Sequence, residues 1–157
     1  MRGTPAMAET LRTDNLTLVP LDTGFVHVHD REECALAQAH WAKHGFGTWA
    51  LLIRAGTFAG VAEVHYAHEG VEGISTDEVE IGWSILPDFQ GRGYATEAMG
   101  AAIADIWQRA HVDHVVAYIR PDNAASLRVA AKLGLVARGE GRTRSGDAMT
   151  VFELRAP

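Results

Sequence analysis

At 157 residues, with 47% apolar and 22% charged side chains, the chain has the size and composition of one globular domain and none of the bias of a disordered, collagen-like or repeat protein. Its formal charge of −6 argues against sequence-independent nucleic-acid binding, which needs clustered Lys and Arg, and is compatible with a cationic substrate. No apolar run approaches the roughly 18 residues that cross a bilayer, and MRGTPAMAET lacks a signal-peptide core, so a soluble cytoplasmic protein without a membrane partner is expected.

Residues 1–9 read as a flexible tail and 10–157 as a single domain. Asn15 to Leu21 alternates apolar and polar side chains as a strand does. Asp30 then caps a helix, REECALAQAHWAK, with Glu32 and Glu33 in its first turn, Lys43 in its last, and Gly45 to stop it. Cys34, the single cysteine, lies in this helix and has no internal disulfide partner. TWALLIRA and FAGVAEVHYA form a hairpin about Gly56 and Thr57, HEGVEGISTD is a loop, and Glu78 to Leu86 is a fourth strand ended by Pro87. Thr96 to Ala110 reads as an amphipathic helix, HVVAYI as a fifth strand, and Asn123 to Leu133 as a helix capped by Asn123 and stopped by Gly134. A last hairpin turns at Ser145 and Gly146. The order β, α, β, β, β, α, β, α, β, β predicts an α/β (α+β) fold, a mixed and mostly antiparallel central sheet with helices on both faces.

Between the fourth strand and the next helix lies QGRGYATE, which enters a helix with no Ser, Thr, Asp or Asn at the expected cap. Backbone N–H groups there lack side-chain partners, and an anion would supply them. Glycine lets the backbone approach a ligand closely, and Arg92 adds a fork for phosphate oxygens. The stretch is neither GxGxxG nor a Walker loop, so dinucleotide and nucleoside triphosphate sites match poorly.

E-x-E-I-G-W-S-I-L-P-D-F-Q-G-R-G-Y-A-T-E-A resembles the acetyl-CoA motif, Q/R-x-x-G-x-G/A, of the GNAT superfamily of N-acetyltransferases. N-A-A-S-L-R-V-A-A-K-L-G-L is similar to the second CoA-contacting helix of its RimJ/RimL-like branch, and H-W-A-K-H-G-F-G-T-W-A to that branch's approach to its second strand. The resemblance runs from about residue 15 to 154. It implies a sheet splayed between the fourth and fifth predicted strands and acetyl-CoA as cosubstrate. The pyrophosphate would lie on the amides of Gln90, Gly91, Arg92, Gly93, Tyr94, Ala95 and Thr96. Pantetheine would pair with backbone near Ile85 and Leu86, and Asn123 and Ser126 would touch the cofactor from the next helix.

Amide formation from a thioester needs a neutral amine, so a base is required where amines are mostly protonated. Alternation puts Glu78, Glu80, Gly82 and Ser84 on one face of the fourth strand. The resemblance assigns the base to Glu80, acting through water, while Glu78, nearer the strand's start, reads as solvated. Many relatives protonate the departing thiolate with a tyrosine seven residues after the asparagine. Ala130 stands there, leaving Ser84, Tyr118 or water to serve.

Relatives normally place two helices between the first strand and the His-Trp stretch, covering the acceptor site. Here residues 22–40 leave room for one. The acceptor pocket is then open or completed by a second copy, which points to a homodimer. No metal is expected, since the histidine pairs 27/29, 65/68 and 111/114 do not supply three convergent ligands. Trp49 and Trp83 read as core, and Arg142 and Arg144 as solvated. The expected function is transfer of an acetyl group to a primary amine, a protein N-terminus or a small molecule, by direct attack in a ternary complex. The alternative is a non-catalytic acyl-CoA sensor with a degenerate acceptor site.

Overall fold

The computed structural model describes residues 10–157, so the tail expected at 1–9 lies outside the described residues. In chain order the elements are β1 (Leu11–Arg12), β2 (Leu16–Pro20), α1 (Arg31–His44), β3 (Trp49–Ile53), β4 (Phe58–Tyr66), β5 (Val79–Ile85), α2 (Tyr94–Arg109), β6 (His114–Ile119), α3 (Ala124–Leu133), β7 (Val136–Arg142) and β8 (Ala148–Arg155). One-turn 3-10 helices occupy Thr23–Phe25 and Pro87–Phe89. All ten expected elements form. One more appears, the two-residue β1, which is too short for alternation to reveal.

The strands hydrogen-bond in the order β1-β2-β3-β4-β5-β6-β8-β7. The β1/β2, β2/β3, β3/β4, β6/β8 and β7/β8 pairs are antiparallel, whereas β5 and β6, joined through α2, are parallel. A parallel pair needs a long crossover, and the helix after QGRGYATE provides it. The mixed, mostly antiparallel sheet read from the element order is therefore the one observed.

The backbone divides into two compact units. The first comprises the described part of 1–65 with Trp83–His111, and so holds β1 to β4 almost entirely, α1, the end of β5 and α2. Its core packs Leu21, Cys34, Ala37, Ala50, Phe58 and Val61, with Val19, Phe25, Val26 and Leu52 against them. Asp30 caps α1 by accepting from the Glu33 amide at 2.9 Å, and Gly45 ends it at φ 76°. Phe58 to Ala62 are buried at consecutive positions, so β4 is covered on both faces. Gly60 is required there. A Cβ on it would stand 2.1 Å from the Ser84 carbonyl oxygen, and beside it the Leu86 amide donates to the Ala59 carbonyl at 2.8 Å. These contacts fix the end of β5 against β4. On α2, Ala98, Met99, Ala102, Ile103 and Ile106 form one buried stripe at helical spacing. Below it Arg109 pairs with Asp105 at 2.7 Å and stacks over Trp41 and Trp49, the latter core as expected.

The second unit comprises Tyr66–Gly82 and Val112–Pro157. Val115, Val116, Ala117 and Ile119 of β6 are buried, and β6 pairs along its length with β8. The loop at 68–77 lies on the β7 hairpin, with the Glu72 amide donating to the Arg142 carbonyl at 3.0 Å and Val71 bridging to Thr143. Among the described residues no helix is long and apolar enough to cross a membrane.

Candidate active site

The segment after β5 is built to expose its backbone. Pro87 starts a 3-10 turn, Gln90 is extended, and Gly91 and Gly93 both sit at φ 79°. That left-handed conformation is open to glycine and strained for side chains with a Cβ. Gly93 is the cap of α2, which begins two residues earlier than the sequence indicated, and no side chain caps it. The Gln90 amide donates back to the Pro87 carbonyl, and the Glu97 amide to the Gly93 carbonyl. Between them, the amides of Gly91, Arg92, Gly93, Tyr94, Ala95 and Thr96 meet no acceptor among the described residues. Gly91, Arg92 and Gly93 are exposed, and a Cβ on either glycine would meet nothing within 4 Å.

The flanking side chains are held by local contacts. Gln90 donates from Nε2 to the Ile85 carbonyl at 2.9 Å. Arg92 donates to the Asp88 carbonyl at 3.3 Å, with its guanidinium 5.6 Å from the centre of the Phe89 ring. An anion at this helix start would meet aligned amides, the positive end of the macrodipole and a guanidinium in one place. The residues present fit a diphosphate.

The other helix expected to touch the cofactor starts differently. Asn123 accepts from the Ser126 amide at 3.0 Å, and the Ala124 amide donates to the Asp122 carbonyl at 3.1 Å. Asn123 is thus the cap that its sequence position predicted, and the start of α3 keeps little backbone capacity for an anion.

On β5, Glu80 pairs through its backbone with Val116, and the residue is 9% exposed. A carboxylate so enclosed on a central strand is costly unless paired. Ser84 is exposed, Ile85 half-buried and Leu86 exposed. Trp83, expected in the core, is half-buried, and its indole Nε1 is enclosed without an acceptor.

Glu78 corrects the sequence reading. Instead of being solvated it is 13% exposed and accepts from Arg138 at 2.6 Å, from His114 Nε2 at 2.7 Å and from the Ser75 amide at 2.9 Å. The Arg138 hydrogen bond, above all, draws its carboxyl down to about 2. His114 is raised from its ordinary value by hydrogen bonds to Asp113 and Glu78. Arg138 also bonds Glu153 at 3.0 Å and the Gly73 carbonyl. Nothing in the local sequence signals this, because Arg138 lies 60 residues from Glu78. Ligand atoms of Glu78, His114 and Glu153 approach within 4.8 Å, yet the carboxylates already share the Arg138 guanidinium. Arg142, read as solvated, donates to the Gly146 carbonyl at 2.8 Å. Burial pushes the Cys34 thiol up, as for a packed cysteine.

Residues 6–136 match the acetyltransferase (GNAT) domain family. An uncharacterized N-acetyltransferase, YnaD, of Bacillus subtilis (strain 168) is 37% identical over 62 residues, 40% of this chain and 35% of that protein, so the match spans about a third of the relative's length. Among solved structures, a protein of Bordetella pertussis assigned to the GNAT acetyltransferase family superposes with a TM-score of 0.81 at 26% identity, covering 95% of this chain and 100% of that one. RimL, a ribosomal L7/L12 alpha-N-protein acetyltransferase in complex with coenzyme A, superposes with a TM-score of 0.72 at 18% identity over 94% and 98%. The domain match covers most of the chain, and the fold built around the uncapped start of α2 agrees with it: the chain belongs to the GNAT acetyltransferase family.

Proposed function

We propose that this protein is a cytoplasmic, acetyl-CoA-dependent N-acetyltransferase, with residues 10–157 as one catalytic domain, that acetylates a primary amine by direct attack in a ternary complex. The observation that carries the donor assignment is the run of six unpaired amides from Gly91 to Thr96. With Gln90 and Arg92 they would hold the diphosphate of the cosubstrate, while backbone near Ile85 and Leu86 would pair with the pantetheine arm, in the gap that the family resemblance implies between β5 and β6. Asn123 and Ser126 would add contacts from α3. Bound acetyl-CoA supplies the activated acyl group and a tolerable thiolate leaving group.

Glu80 takes a proton from the acceptor ammonium through water, since only the neutral amine has a lone pair to offer. Its near-burial excludes bulk solvent, which strengthens that proton transfer. Ser84, exposed at the end of the same strand, donates a hydrogen bond to the departing thiolate, which takes up the proton shed by the nitrogen as the amide forms. The acceptor is a protein N-terminus or a small amine. The RimL neighbour acts on a ribosomal protein's alpha-amino group, which supports the former. The short segment before α1 leaves the acceptor side to be completed by a second copy in a homodimer. The reaction requires no metal and no nucleic acid.

Release of free thiol from acetyl-CoA, followed across peptides with free N-termini and small amines, tests this reading. Turnover is expected with at least one acceptor, and Glu80→Gln should lower kcat by about 100-fold or more while acetyl-CoA affinity holds. Tight acetyl-CoA binding with no turnover on any acceptor would show a binding module instead of an enzyme.

A further inference from the structure

We propose that Glu97 is a positioning residue for the donor site: Thr13 and Asn15 hold its carboxylate away from the first turn of α2, keeping that turn's amides open and in place. This rests on the assignment of Gly91–Thr96 to the cosubstrate diphosphate.

Glu97 is the fourth helical residue after the Gly93 cap, one place beyond the capping-box position and still close enough for its carboxylate to be attracted to the free amides. Here it is held elsewhere. Its Oε2 accepts from the Asn15 amide at 2.8 Å and from the Thr13 hydroxyl, and its Oε1 accepts from Asn15 Nδ2 at 2.8 Å. No amide between Gly91 and Thr96 reaches it. The three donors all come from the turn between β1 and β2, 82 to 84 residues away in sequence.

That turn is itself closed. The Thr13 amide donates to the Leu16 carbonyl at 2.9 Å, and the Leu16 amide donates to the Thr13 hydroxyl at 3.1 Å. A hydroxyl has one proton to give, and an ionised carboxylate, which can only accept, takes it, leaving the Thr13 oxygen free to accept from the Leu16 amide. The result is a short relay, Leu16 amide to Thr13 hydroxyl to Glu97 carboxylate, whose bonds reinforce one another. Burial would push the Glu97 carboxyl up, but the Asn15 and Thr13 donors outweigh it and hold it below its ordinary value.

Two consequences follow for a dianionic ligand at the helix start. A carboxylate loose in this turn would compete for the same amides and repel the diphosphate; tied to Asn15 and Thr13, it does neither. The same three bonds anchor the first turn of α2 to the sheet edge, so the amides are preorganised before binding.

Calorimetric titration with coenzyme A, paired with steady-state kinetics and melting curves, tests this. Glu97→Ala and Asn15→Asp, the latter on an exposed turn that leaves the helix sequence intact, should each weaken coenzyme A about 10-fold. KM for acetyl-CoA should rise in parallel while kcat at saturation stays within about 2-fold. Thr13→Ser, which keeps the hydroxyl, should retain affinity, and Thr13→Val should lose it. Melting curves that fall with coenzyme A affinity unchanged in both Glu97→Ala and Asn15→Asp would overturn the proposal and leave Glu97 a purely structural tie. If the unaltered protein does not bind coenzyme A, the donor-site assignment itself fails, an outcome distinct from variants that bind as the parent does.

Discussion

The start of α2 and the ring of charges around Glu78 are both dense in polar groups, but they are completed in opposite ways. Around Glu78, Arg138, His114 and the Ser75 amide meet acceptors at hydrogen-bond distance. At the start of α2, six successive amides meet none among the described residues, and the one acidic side chain in that turn is engaged elsewhere. Buried backbone is rarely left without partners, whereas a helix start leaves its first amides open, to be completed by a cap, water or a ligand. On the proposed reading the saturated region is architecture and the unsaturated one holds the cosubstrate, and three experiments bear on that division.

The largest effect is expected from Gly93→Val. At φ 79° a branched side chain strains the backbone, and it also projects into the space a diphosphate would fill. Gly45 supplies the control. It has nearly the same φ, 76°, a Cβ on it would likewise meet nothing within 4 Å, and it ends α1, with no ligand contact proposed for it. Both Gly93→Val and Gly45→Val should lose about 1–3 kcal/mol of stability from backbone strain. Only Gly93→Val should lose coenzyme A, by roughly 100-fold, as several charge-assisted hydrogen bonds are forfeited together. Equal coenzyme A affinity in the two variants would remove the start of α2 from the donor site.

The saturated region should respond to pH and not to coenzyme A. Glu78 is depressed from 4.5 to about 2 in the folded protein, so its contribution is present above pH 4.5 and is lost as pH falls toward 2. That contribution is worth about 3 kcal/mol or less. His114 is raised above 6.5, so its contribution is full below pH 6.5 and fades as pH rises through its folded value. Melting temperature against pH should therefore crest between about 4.5 and 6.5 for this cluster. Arg138→Ala should flatten the acid limb, His114→Ala the neutral one, and coenzyme A affinity should change in neither. An acid limb as steep in Arg138→Ala as in the parent would mean that other carboxylates set it.

What is legible in the sequence divides along the same line. Local signals suffice for the helix ends. Asp30 and Asn123 are the caps, Gly45 and Gly134 take the left-handed stops, and the missing cap before α2 is missing in the structure. Each of these is decided within four residues. Glu78 reads as solvated because its partners come from β6 and β7, and Glu97 gives no sign of its role because its donors lie in a turn more than 80 residues earlier. A side chain's long-range partner leaves no periodicity to read. The strand β1 escapes for a different reason, since two residues cannot show alternation.

The smallest effect is expected from Arg92→Ala, and its form matters more than its size. Arg92 is exposed, and its tethers are a carbonyl at 3.3 Å and the face of Phe89. A guanidinium held so lightly contributes charge without rigid bidentate geometry, and an exposed charge is screened by salt. Removing it should weaken coenzyme A by about 3- to 10-fold at low ionic strength, shrinking toward parity near 0.5 M salt. The amides of Gly91 to Thr96 are short-range donors with no such dependence, so the Gly93→Val defect should persist at every salt concentration. If the Arg92→Ala defect were instead salt-independent and as large as that of Gly93→Val, the arginine would be a fixed diphosphate ligand. The free amides alone would then not account for the affinity of the site.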